Sequence, residues 1–354
     1  MNEQKNRKHF LLILLTVLCL ILQVGCNNIK GEENSNSAKT PISIDSFKLN
    51  TIVNITIYDS QDKSLLEGAL AICDQYEQLY SRTIETSELY RLNHGLLTHA
   101  ADEENRFLIS NELVDVLDYG LYYSKLSNGA FDITVEPITT LWKFTTSDAV
   151  VPNKEAIEKA VSTVGYQNMS MNGNTVTFKK DHMGIDLGAI AKGYIADRIK
   201  DYLLDKGVKS AMINLGGNVL TVGQKPTGEA FKIGIQKPFA DRNEIVATME
   251  IKDLSVVSSG IYERYFTQNG TLYHHILDPS TGYPYQNGLI SVTIISKKSV
   301  DGDGLSTTCF ALGLEEGMKL INSLDDTDAI FITEDYTLHY TEGFFEHIKV
   351  TEVD

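Results

Sequence analysis

The sequence predicts an α+β fold, with mixed or antiparallel sheets and helices packed on their flanks. From residue 231 onward it is rich in short runs of β-branched and apolar residues, which are typical of strands. Helical patterns do not alternate regularly with these runs, as they would in a doubly wound sheet. Neither G-x-G-x-x-G nor G-K-[ST] occurs in the sequence, so the common nucleotide-binding folds are not supported.

Residues 1–25 are predicted to be a lipoprotein signal peptide. Basic residues precede the apolar run 10–22, which is too short for a membrane span of about 20 residues. The ending Val24-Gly25-Cys26 resembles a lipoprotein cleavage site and predicts lipidation of Cys26, although Gln23 stands where Leu is usual. We therefore expect a lipid anchor on the extracytoplasmic face of the cell membrane. An uncleaved anchor and plain secretion are the alternatives.

Residues 26–41 are polar and predict a flexible tether, so a single catalytic domain is expected over residues 42–354. The chain has a net charge of −16, which argues against nucleic acid, since nucleic acid is bound mainly through Lys and Arg. Beyond the lipid anchor, only Cys73 and Cys309 remain in the mature chain. This excludes a disulfide framework, and nothing resembles a zinc site.

The elements of the domain follow from periodicity. Strand-like alternation is predicted over FKLNTIVNITIYD (47–59), and SAMINLGGN is predicted to be a strand that runs into a double-glycine turn. Helical spacing predicts helices over 62–82, 111–126, 152–164, 186–206 (closed by Gly207), 304–313 and 315–323. Further strands are predicted at FKIGIQ, ATMEIKD, LSVVSSG, TLYHHIL, LISVTIIS, AIFITED and TLHY.

The stretch GIDLGAIAKGYIADR (184–198) is the first candidate site. Its glycines allow a ligand or another backbone to approach closely, and Lys192 could reach a phosphate at the helix start. Asp186 either caps the N–H groups of that helix or belongs to a ligand site.

The stretch DGDGLSTTCFALG (301–313) is the second. Asp303 and Thr307 are spaced i, i+4 and share a helical face, where their oxygens suit Mg²⁺. Alternatively, Asp303 caps the helix and Thr307 bonds a backbone carbonyl. Asp301 is a weaker candidate, since it could equally be a solvated turn residue.

Two further stretches carry candidate side chains. In YHHILDPSTGYP, His274 and His275 are predicted to point to opposite faces of a strand, and DPSTG is typical turn chemistry. Arg264 either contacts an anion or is a surface charge. In GAFDITVEP, Phe131 could stack on a planar ring and Asp132 accept hydrogen bonds, or both could be core residues.

Taken together, these stretches resemble the ApbE family, the FAD:protein FMN transferases, over roughly residues 47–340. The motifs that carry the resemblance occur in the family's order: SELYRLN (87–93), GAFDITVEP (129–137), GIDLGAIAKGYIAD (184–197), NLGGN (214–218), HILDPSTG (275–282) and DGLSTTCFALG (303–313). The resemblance implies an ApbE-like, T-fold-related α+β domain. It also implies Mg²⁺-dependent transfer of FMN from FAD onto a Thr or Ser hydroxyl of an acceptor flavoprotein, with release of AMP.

The resemblance also implies roles for individual residues. Asp303, Thr307 and the backbone oxygen of Ala189 would hold Mg²⁺. The residues implied to contact FAD are Asp186, Lys192, Ala130, Phe131, Asp132 and Ile276. Leu49 stands in Leu49-Asn50-Thr51 where the family often has Met-Gly-Thr, so its contact with the flavin is an expectation from apolar packing.

The acceptor hydroxyl needs a base or a metal to lose its proton. His275 is the candidate base, because imidazole titrates near neutral pH. Asp303 is expected to act only indirectly, through the metal. FAD hydrolysis to FMN and AMP, and flavin binding without catalysis, are the alternative functions.

Overall fold

A computed structural model describes residues 40–100, 105–144, 146, 148–241 and 244–353. The predicted signal peptide, Cys26 and nearly all of the predicted tether lie outside the described residues. Within the described ranges, no helix combines the length and apolar character that crossing a bilayer requires.

The described residues form strands and helices that cluster by type rather than alternate. The strands are β1 Ile42–Lys48, β2 Thr51–Ile57, β3 Arg106–Leu108, β4 Met169–Asn172, β5 Thr175–Phe178, β6 Ser210–Leu215, β7 Asn218–Gly223, β8 Phe231–Gln236, β9 Ile245–Ile251, β10 Ser255–Gly260, β11 Tyr265–Gln268, β12 Thr271–His274, β13 Leu289–Ser296, β14 Asp328–Thr333, β15 Leu338–Tyr340 and β16 Lys349–Glu352. The helices are α1 Ser64–Tyr80, α2 Glu88–Asn93, α3 Asn111–Leu126, α4 Glu136–Trp142, α5 Lys154–Thr163, α6 Ala191–Asp205, α7 Ser299–Asn322 and α8 Phe344–His347, with a 3₁₀ turn at Tyr166–Asn168.

An eight-stranded antiparallel sheet organises the domain, in the order β1-β2-β6-β7-β10-β13-β14-β15. Three smaller sheets have the orders β11-β12, β16-β9-β8 and β3-β5-β4. The predicted α+β class with antiparallel sheets is thereby confirmed.

The two faces of the large sheet are buried in different apolar clusters. On strand β13, Val292 and Ile294 belong to the main core, together with side chains of α1, α6 and α7. Ile295 on the same strand belongs to a second cluster with β8, β9 and α8. This division follows from the period of two along a strand. It places α6 and α7 side by side on one face of the sheet.

Four predicted elements differ from those observed: the strand over 47–59 and the helices over 186–206, 304–313 and 315–323. The run 47–59 is a hairpin, because Leu49 and Asn50 both have a φ of 55° and form a two-residue turn. The helix predicted from Asp186 begins at Ala191, and α4 was not predicted. Helix α6 does end before Gly207, whose φ is 82°. The two helices predicted over 304–323 form one element, interrupted by non-helical angles at Gly313.

Helix α7 begins at Ser299, before Asp303, because a side chain of α6 caps it. Asp197 accepts hydrogen bonds from the backbone N–H groups of Ser299 and Val300, at 2.8 and 3.0 Å. The prediction that Asp303 could cap this helix is therefore wrong. Asp303 lies inside the helix, where its side chain is available for other contacts.

Candidate active site

Asp303 is the buried centre of the candidate site. Its side chain is 4% exposed, and Oδ2 accepts a hydrogen bond from the backbone N–H of Gly193 at 2.6 Å. Oδ1 accepts from the side-chain amide of Asn218 at 2.9 Å. An ionised carboxylate offers about four lone-pair sites, so two remain for another partner. The sequence assigned no role to Asn218 or to the backbone of Gly193.

The bond from Gly193 also changes what Ala189 offers. In a regular helix the N–H of residue 193 would donate to the carbonyl of residue 189. Here it donates to Asp303 instead, and the first helical bond runs from the N–H of Tyr194 to the carbonyl of Ile190, at 3.1 Å. No hydrogen bond among the described residues uses the Ala189 carbonyl. Ala189 is a half-buried residue, and its backbone oxygen at the start of α6 is free of hydrogen bonds from the described residues.

The close approach of α6 to α7 depends on glycine at position 193. A Cβ atom there would lie 2.2 Å from the carbonyl oxygen of Ser299, on the backbone of α7. Only glycine lets the helices meet at this distance without a shift. The small residues predicted to give a ligand access therefore also serve helix packing.

Thr307 lies one turn after Asp303 on the same face of α7. Its Oγ1 is 3.1 Å from the Ser259 hydroxyl, which also lies 2.9 Å from the Ser306 hydroxyl. This contact replaces the predicted bond to a backbone carbonyl. Asp303, Thr307 and the Ala189 carbonyl, the three groups that the family resemblance assigns to Mg²⁺, all offer oxygen atoms, which are the ligands that Mg²⁺ prefers. No group of three or more His, Cys, Asp or Glu side chains suited to a metal occurs among the described residues.

Asp301 faces away from this site. Tyr123 donates its hydroxyl to Asp301 Oδ1 at 2.7 Å. Together with Leu305, these residues line a cavity of about 490 Å³ between α3 and α7, and Asp301 is the one candidate residue among those that line it. Residues two apart on a helix point about 200° apart, which separates Asp301 from Asp303.

Asp186 lies in the loop before α6 and does not cap that helix. Oδ1 accepts from the N–H of Gly188 at 2.8 Å, which closes a turn within the loop. Oδ2 accepts from the Thr139 hydroxyl at 2.8 Å and pairs with Arg82 Nε at 2.9 Å. Arg82 lies five residues before the motif SELYRLN (87–93), and nothing in the sequence indicated its contact with Asp186.

Two other motifs hold the same loop in place. Asn93, the last residue of SELYRLN, exchanges two hydrogen bonds with the backbone of Ile185, at 2.8 and 2.9 Å. The N–H of Asp186 donates to the carbonyl of Ile133 at 2.8 Å, and Val135 forms a parallel bridge with Gly184. The segments 129–137 and 184–197 are therefore in direct backbone contact.

Asp132 is engaged in local structure. It is 7% exposed, and its oxygens accept from the N–H and hydroxyl of Thr134 and from the N–H of Tyr166, at 2.8, 2.6 and 2.8 Å. Burial raises the pKa of its carboxyl. Phe131 is 5% exposed and packs edge-to-face on Tyr123. Asp132 thus fixes the loop that presents Ala130 and Phe131.

Tyr285, three residues after the DPSTG turn (278–282), contacts both Ala130 and the segment before that turn. The hydroxyl of Tyr285 donates to the carbonyl of Ala130 at 2.9 Å, while the Tyr285 N–H donates to the carbonyl of Ile276 at 3.1 Å. In the turn, Asp278 accepts from both the N–H and the hydroxyl of Ser280, as expected of turn chemistry. Tyr285 therefore links the backbones of Ala130 and Ile276.

The two histidines differ in what their rings contact. His274 is buried, with Nε2 2.8 Å from the carbonyl of Tyr285 and Nδ1 accepting from the N–H of Ile276. His275 has Nδ1 3.3 Å from the carbonyl of Arg264. A carbonyl only accepts, so the proton of the neutral His275 ring lies on Nδ1 and Nε2 carries the free lone pair.

The pKa of His275 is well below the near-neutral value expected from the sequence. Desolvation by the surrounding protein, followed by the charges of Arg264, His274 and Lys192, lowers the pKa of His275 to about 3. The imidazole is therefore neutral at physiological pH.

Leu49 is the predicted site residue with the weakest connection to the others. It lies at the tip of the β1–β2 hairpin, and its N–H donates to Glu77 Oε1 at 2.9 Å. The hairpin is joined to the turn of NLGGN, since the N–H of Gly216 donates to the carbonyl of Ile52 at 3.0 Å. No hydrogen bond or ring contact among the described residues joins Leu49 directly to another predicted site residue.

Comparison with known proteins identifies similar chains and folds. The model of the ApbE family matches residues 49–331. An FAD:protein FMN transferase of Klebsiella pneumoniae is 37% identical over 277 residues, which cover 78% of this chain and 84% of the relative. One of Treponema pallidum is 29% identical, with coverages of 86% and 88%.

Solved structures show the same similarity in three dimensions. The flavin transferase ApbE from Vibrio cholerae superposes with a TM-score of 0.77 at 27% identity, covering 87% of this chain and 99% of that one. The ApbE protein from Thermotoga maritima gives a TM-score of 0.77 at 31% identity, with the same coverages.

Proposed function

Because this chain belongs to the ApbE family and is a flavin transferase of that family, we propose that it moves the FMN half of FAD onto a Thr or Ser hydroxyl of an extracytoplasmic acceptor protein and releases AMP. One observation carries the proposal. A buried carboxylate, Asp303, shares a helical face with the Thr307 hydroxyl. It also accepts a hydrogen bond from the Gly193 N–H, which in a regular helix would donate to the Ala189 carbonyl.

The proposed reaction is a phosphoryl transfer. The hydroxyl oxygen of the acceptor forms a bond to the FMN-side phosphorus of FAD. The bond from that phosphorus to the bridging oxygen breaks, and AMP leaves with that oxygen. The hydroxyl proton passes to a base. Positioning and electrostatic stabilisation are the main contributions that a protein makes to such a transfer.

Asp303, Thr307 and the Ala189 carbonyl are the residues that would hold Mg²⁺. The fit rests on their oxygen chemistry and on the lone pairs that Gly193 and Asn218 leave unused on Asp303. Bound there, Mg²⁺ would supply positive charge to the pyrophosphate oxygens. This matters in a chain with a net charge of −16, whose overall field opposes binding of an anionic ligand.

Lys192 and the loop around Asp186 would bind FAD. Lys192 has no ion-pair partner among the described residues, so its charge is available to the pyrophosphate. Asp186 is already paired with Arg82, and we propose that it shapes the loop and offers its remaining lone pairs to FAD. The flavin would lie against the apolar residues of the remaining segments: Leu49, Ala130, Phe131 and Ile276. Asp132 would act by fixing the loop of Ala130 and Phe131.

His275 is proposed as the base that takes the acceptor proton on Nε2. A neutral ring with Nδ1 oriented by the Arg264 carbonyl suits that role. Its low pKa makes it a weak base in the free protein. Binding of the anionic pyrophosphate nearby is expected to raise that pKa.

The test is a flavinylation assay with the full-length protein, FAD, Mg²⁺ and a candidate acceptor domain. Mass spectrometry of the acceptor should show covalently attached FMN, with AMP released in equal amount. Attachment should be lost with EDTA and in Asp303→Ala. Asp301→Ala is the matched control, since Asp301 lies on the other side of the same helix.

The other outcomes identify the alternative functions. AMP released at the same rate with and without acceptor, with no mass change, would show an FAD pyrophosphatase. Tight FAD binding without AMP would show a flavin-binding protein. Either result would contradict the proposed transfer.

We also propose that Cys26 is lipidated and anchors the domain on the extracytoplasmic face of the cell membrane. The support is the sequence alone: basic residues, a short apolar run and the ending Val24-Gly25-Cys26. Labelling with radioactive palmitate should mark the wild-type protein in the membrane fraction. Cys26→Ser should lose the label, and a label that persists would contradict the proposal.

A further inference from the structure

A buried chain of polar side chains leads away from Asp303 into the protein. Asn218 Nδ2 is 2.9 Å from Asp303 Oδ1, and Asn218 Oδ1 accepts from the Ser299 hydroxyl at 2.7 Å. The Ser255 hydroxyl lies 3.0 Å from that of Ser299. All four side chains are buried: Asn218 is 2% exposed, Asp303 4%, and Ser255 and Ser299 0%.

The chain has one consistent direction of hydrogen bonding. An ionised carboxylate only accepts, so Asn218 must turn its NH₂ group toward Asp303 and its carbonyl toward Ser299. The Ser299 proton is then committed to Asn218, and the Ser299 oxygen is free to accept from Ser255. The Ser255 hydroxyl has a second acceptor within reach, the Val219 carbonyl at 3.3 Å, and its contact with Ser299 at 3.0 Å is the shorter of the two. The donors of Asn218 and Ser299 therefore point toward Asp303. Such directed networks hold their members in a single orientation.

The four residues come from separate parts of the fold. Asn218 begins β7 in NLGGN, Ser255 begins β10, and Ser299 begins α7. In the same turn of α7, the Ser299 N–H is held by Asp197. The network therefore ties the side chain of Asp303 to the sheet, while Gly193 ties it to α6. Between them, the two donors fix the orientation of the Asp303 carboxylate.

We infer that Asn218 is a positioning residue for the flavin transfer reaction: held by Ser299 and Ser255, it fixes the orientation of the Asp303 carboxylate in which that group accepts a divalent cation. The inference rests on the proposed function, since it concerns the same carboxylate. Residues that orient a metal ligand in this way change metal affinity by about 10- to 100-fold when removed. Asn218 does not contact FAD or the acceptor in this role.

The test measures Mn²⁺ binding to the full-length protein by electron paramagnetic resonance, without FAD or acceptor. Asn218→Ala should weaken binding about 10- to 100-fold. Asp303→Ala should abolish it, which shows that the ion measured is the one at Asp303. Thr308→Val is the matched control: Thr308 is buried in α7, and its hydroxyl has no hydrogen-bond partner among the described residues. Its Mn²⁺ affinity should stay within about twofold of the wild type.

Ser299→Ala keeps Asn218 in place but removes the donor that sets its amide orientation. It should weaken Mn²⁺ binding in the same direction by a smaller factor, and it serves as the test if Asn218→Ala does not fold. In the transfer assay, the Mg²⁺ concentration for half-maximal rate should rise in both variants, while kcat at saturating Mg²⁺ recovers to within a few-fold of the wild type. A purely structural defect would not be rescued by Mg²⁺.

Wild-type Mn²⁺ affinity in folded Asn218→Ala and Ser299→Ala would overturn the inference, and so would a loss of rate that Mg²⁺ does not restore. Absence of Mn²⁺ binding to the wild type would overturn it as well. Failure of the proposed function is seen separately, as the absence of FMN on the acceptor with a wild-type protein that does bind Mn²⁺.

Discussion

The backbone N–H of Gly193 donates to Asp303 Oδ2 at 2.6 Å and so leaves the Ala189 carbonyl without its helical partner. One contact between α6 and α7 therefore orients one candidate metal ligand and frees another. Gly193 and Asp303 are 110 residues apart in the chain, and this bond brings the motifs that contain them into contact.

Gly193→Ala should disrupt this contact. The new Cβ would lie 2.2 Å from the Ser299 carbonyl oxygen, which is backbone and has little freedom to move. Overpacking of this kind costs about 1–3 kcal/mol of the free energy of unfolding. Mn²⁺ affinity should fall as well, because the Gly193 N–H moves away from Asp303. Urea unfolding and Mn²⁺ titration measure the two effects.

Gly68→Ala is the control for that substitution. Its Cβ would lie 2.0 Å from a neighbouring atom, but that atom is the hydroxyl at the flexible end of Tyr202. The side chain can turn aside, and alanine favours the helix by up to about 1 kcal/mol. Gly68→Ala should therefore be neutral or stabilising. Equal destabilisation by both substitutions would contradict the packing argument at Gly193.

Asp303→Asn and Asp301→Asn should behave differently although they lie two residues apart. Asp303→Asn removes the charge from the donor set, and FMN transfer should fall by at least about 100-fold. Asp301 accepts only from the Tyr123 hydroxyl among the described residues, at 2.7 Å. Its substitution should cost about 1 kcal/mol of stability and leave transfer within about threefold. The rate of FMN attachment and thermal unfolding test this pair, and equal losses of rate would refute the assignment.

His275 should remain neutral far below pH 6. Desolvation, then Arg264, His274 and Lys192, lowers its pKa to about 3 in the folded protein, from 6.5. The unfolded state binds the proton more tightly, so His275 contributes stability that is fully present above about pH 6.5 and is lost as the pH falls toward 3. Nuclear magnetic resonance of the imidazole, assigned with His275→Gln, should show no titration between pH 5 and 8. A midpoint near 6.5 would contradict the prediction.

Much of the fold could be predicted from periodicity, because it depends on local burial. The predicted bounds of α3, Asn111–Leu126, are those observed, and β8 matches FKIGIQ. Strands such as β3 and β16 were not predicted, since each is short and gains its burial only from distant partners. The break at Leu49 and Asn50 was missed because Leu is not a usual turn residue at positive φ.

The candidate site shows the same division between local and distant information. The spacing of Asp303 and Thr307 was enough to place them on one face of a helix. The helix start was misplaced, because the residue that caps it, Asp197, lies on another helix. Arg82 and Asn218 act through contacts with residues far away in the chain, at Asp186 and Asp303. Nothing in their immediate sequence indicated these contacts.

Asp197 should make stability depend on pH in the direction opposite to His275. Burial is the main cause that raises the pKa of Asp197 from 3.8 to about 6, although the N–H groups of Ser299 and Val300 oppose the shift. Between about pH 4 and 6 the folded state binds the proton on Asp197 more tightly than the unfolded state does. The contribution of Asp197 to stability is therefore present at low pH and is lost as the pH rises through 6.

Asp197→Asn removes the titration and keeps one acceptor oxygen for the cap. Relative to the wild type, the variant should gain at most about 3 kcal/mol between pH 4 and 7, as expected for a shift of two pKa units. Urea unfolding across this range measures the difference, and a constant difference at every pH would show that Asp197 does not titrate there.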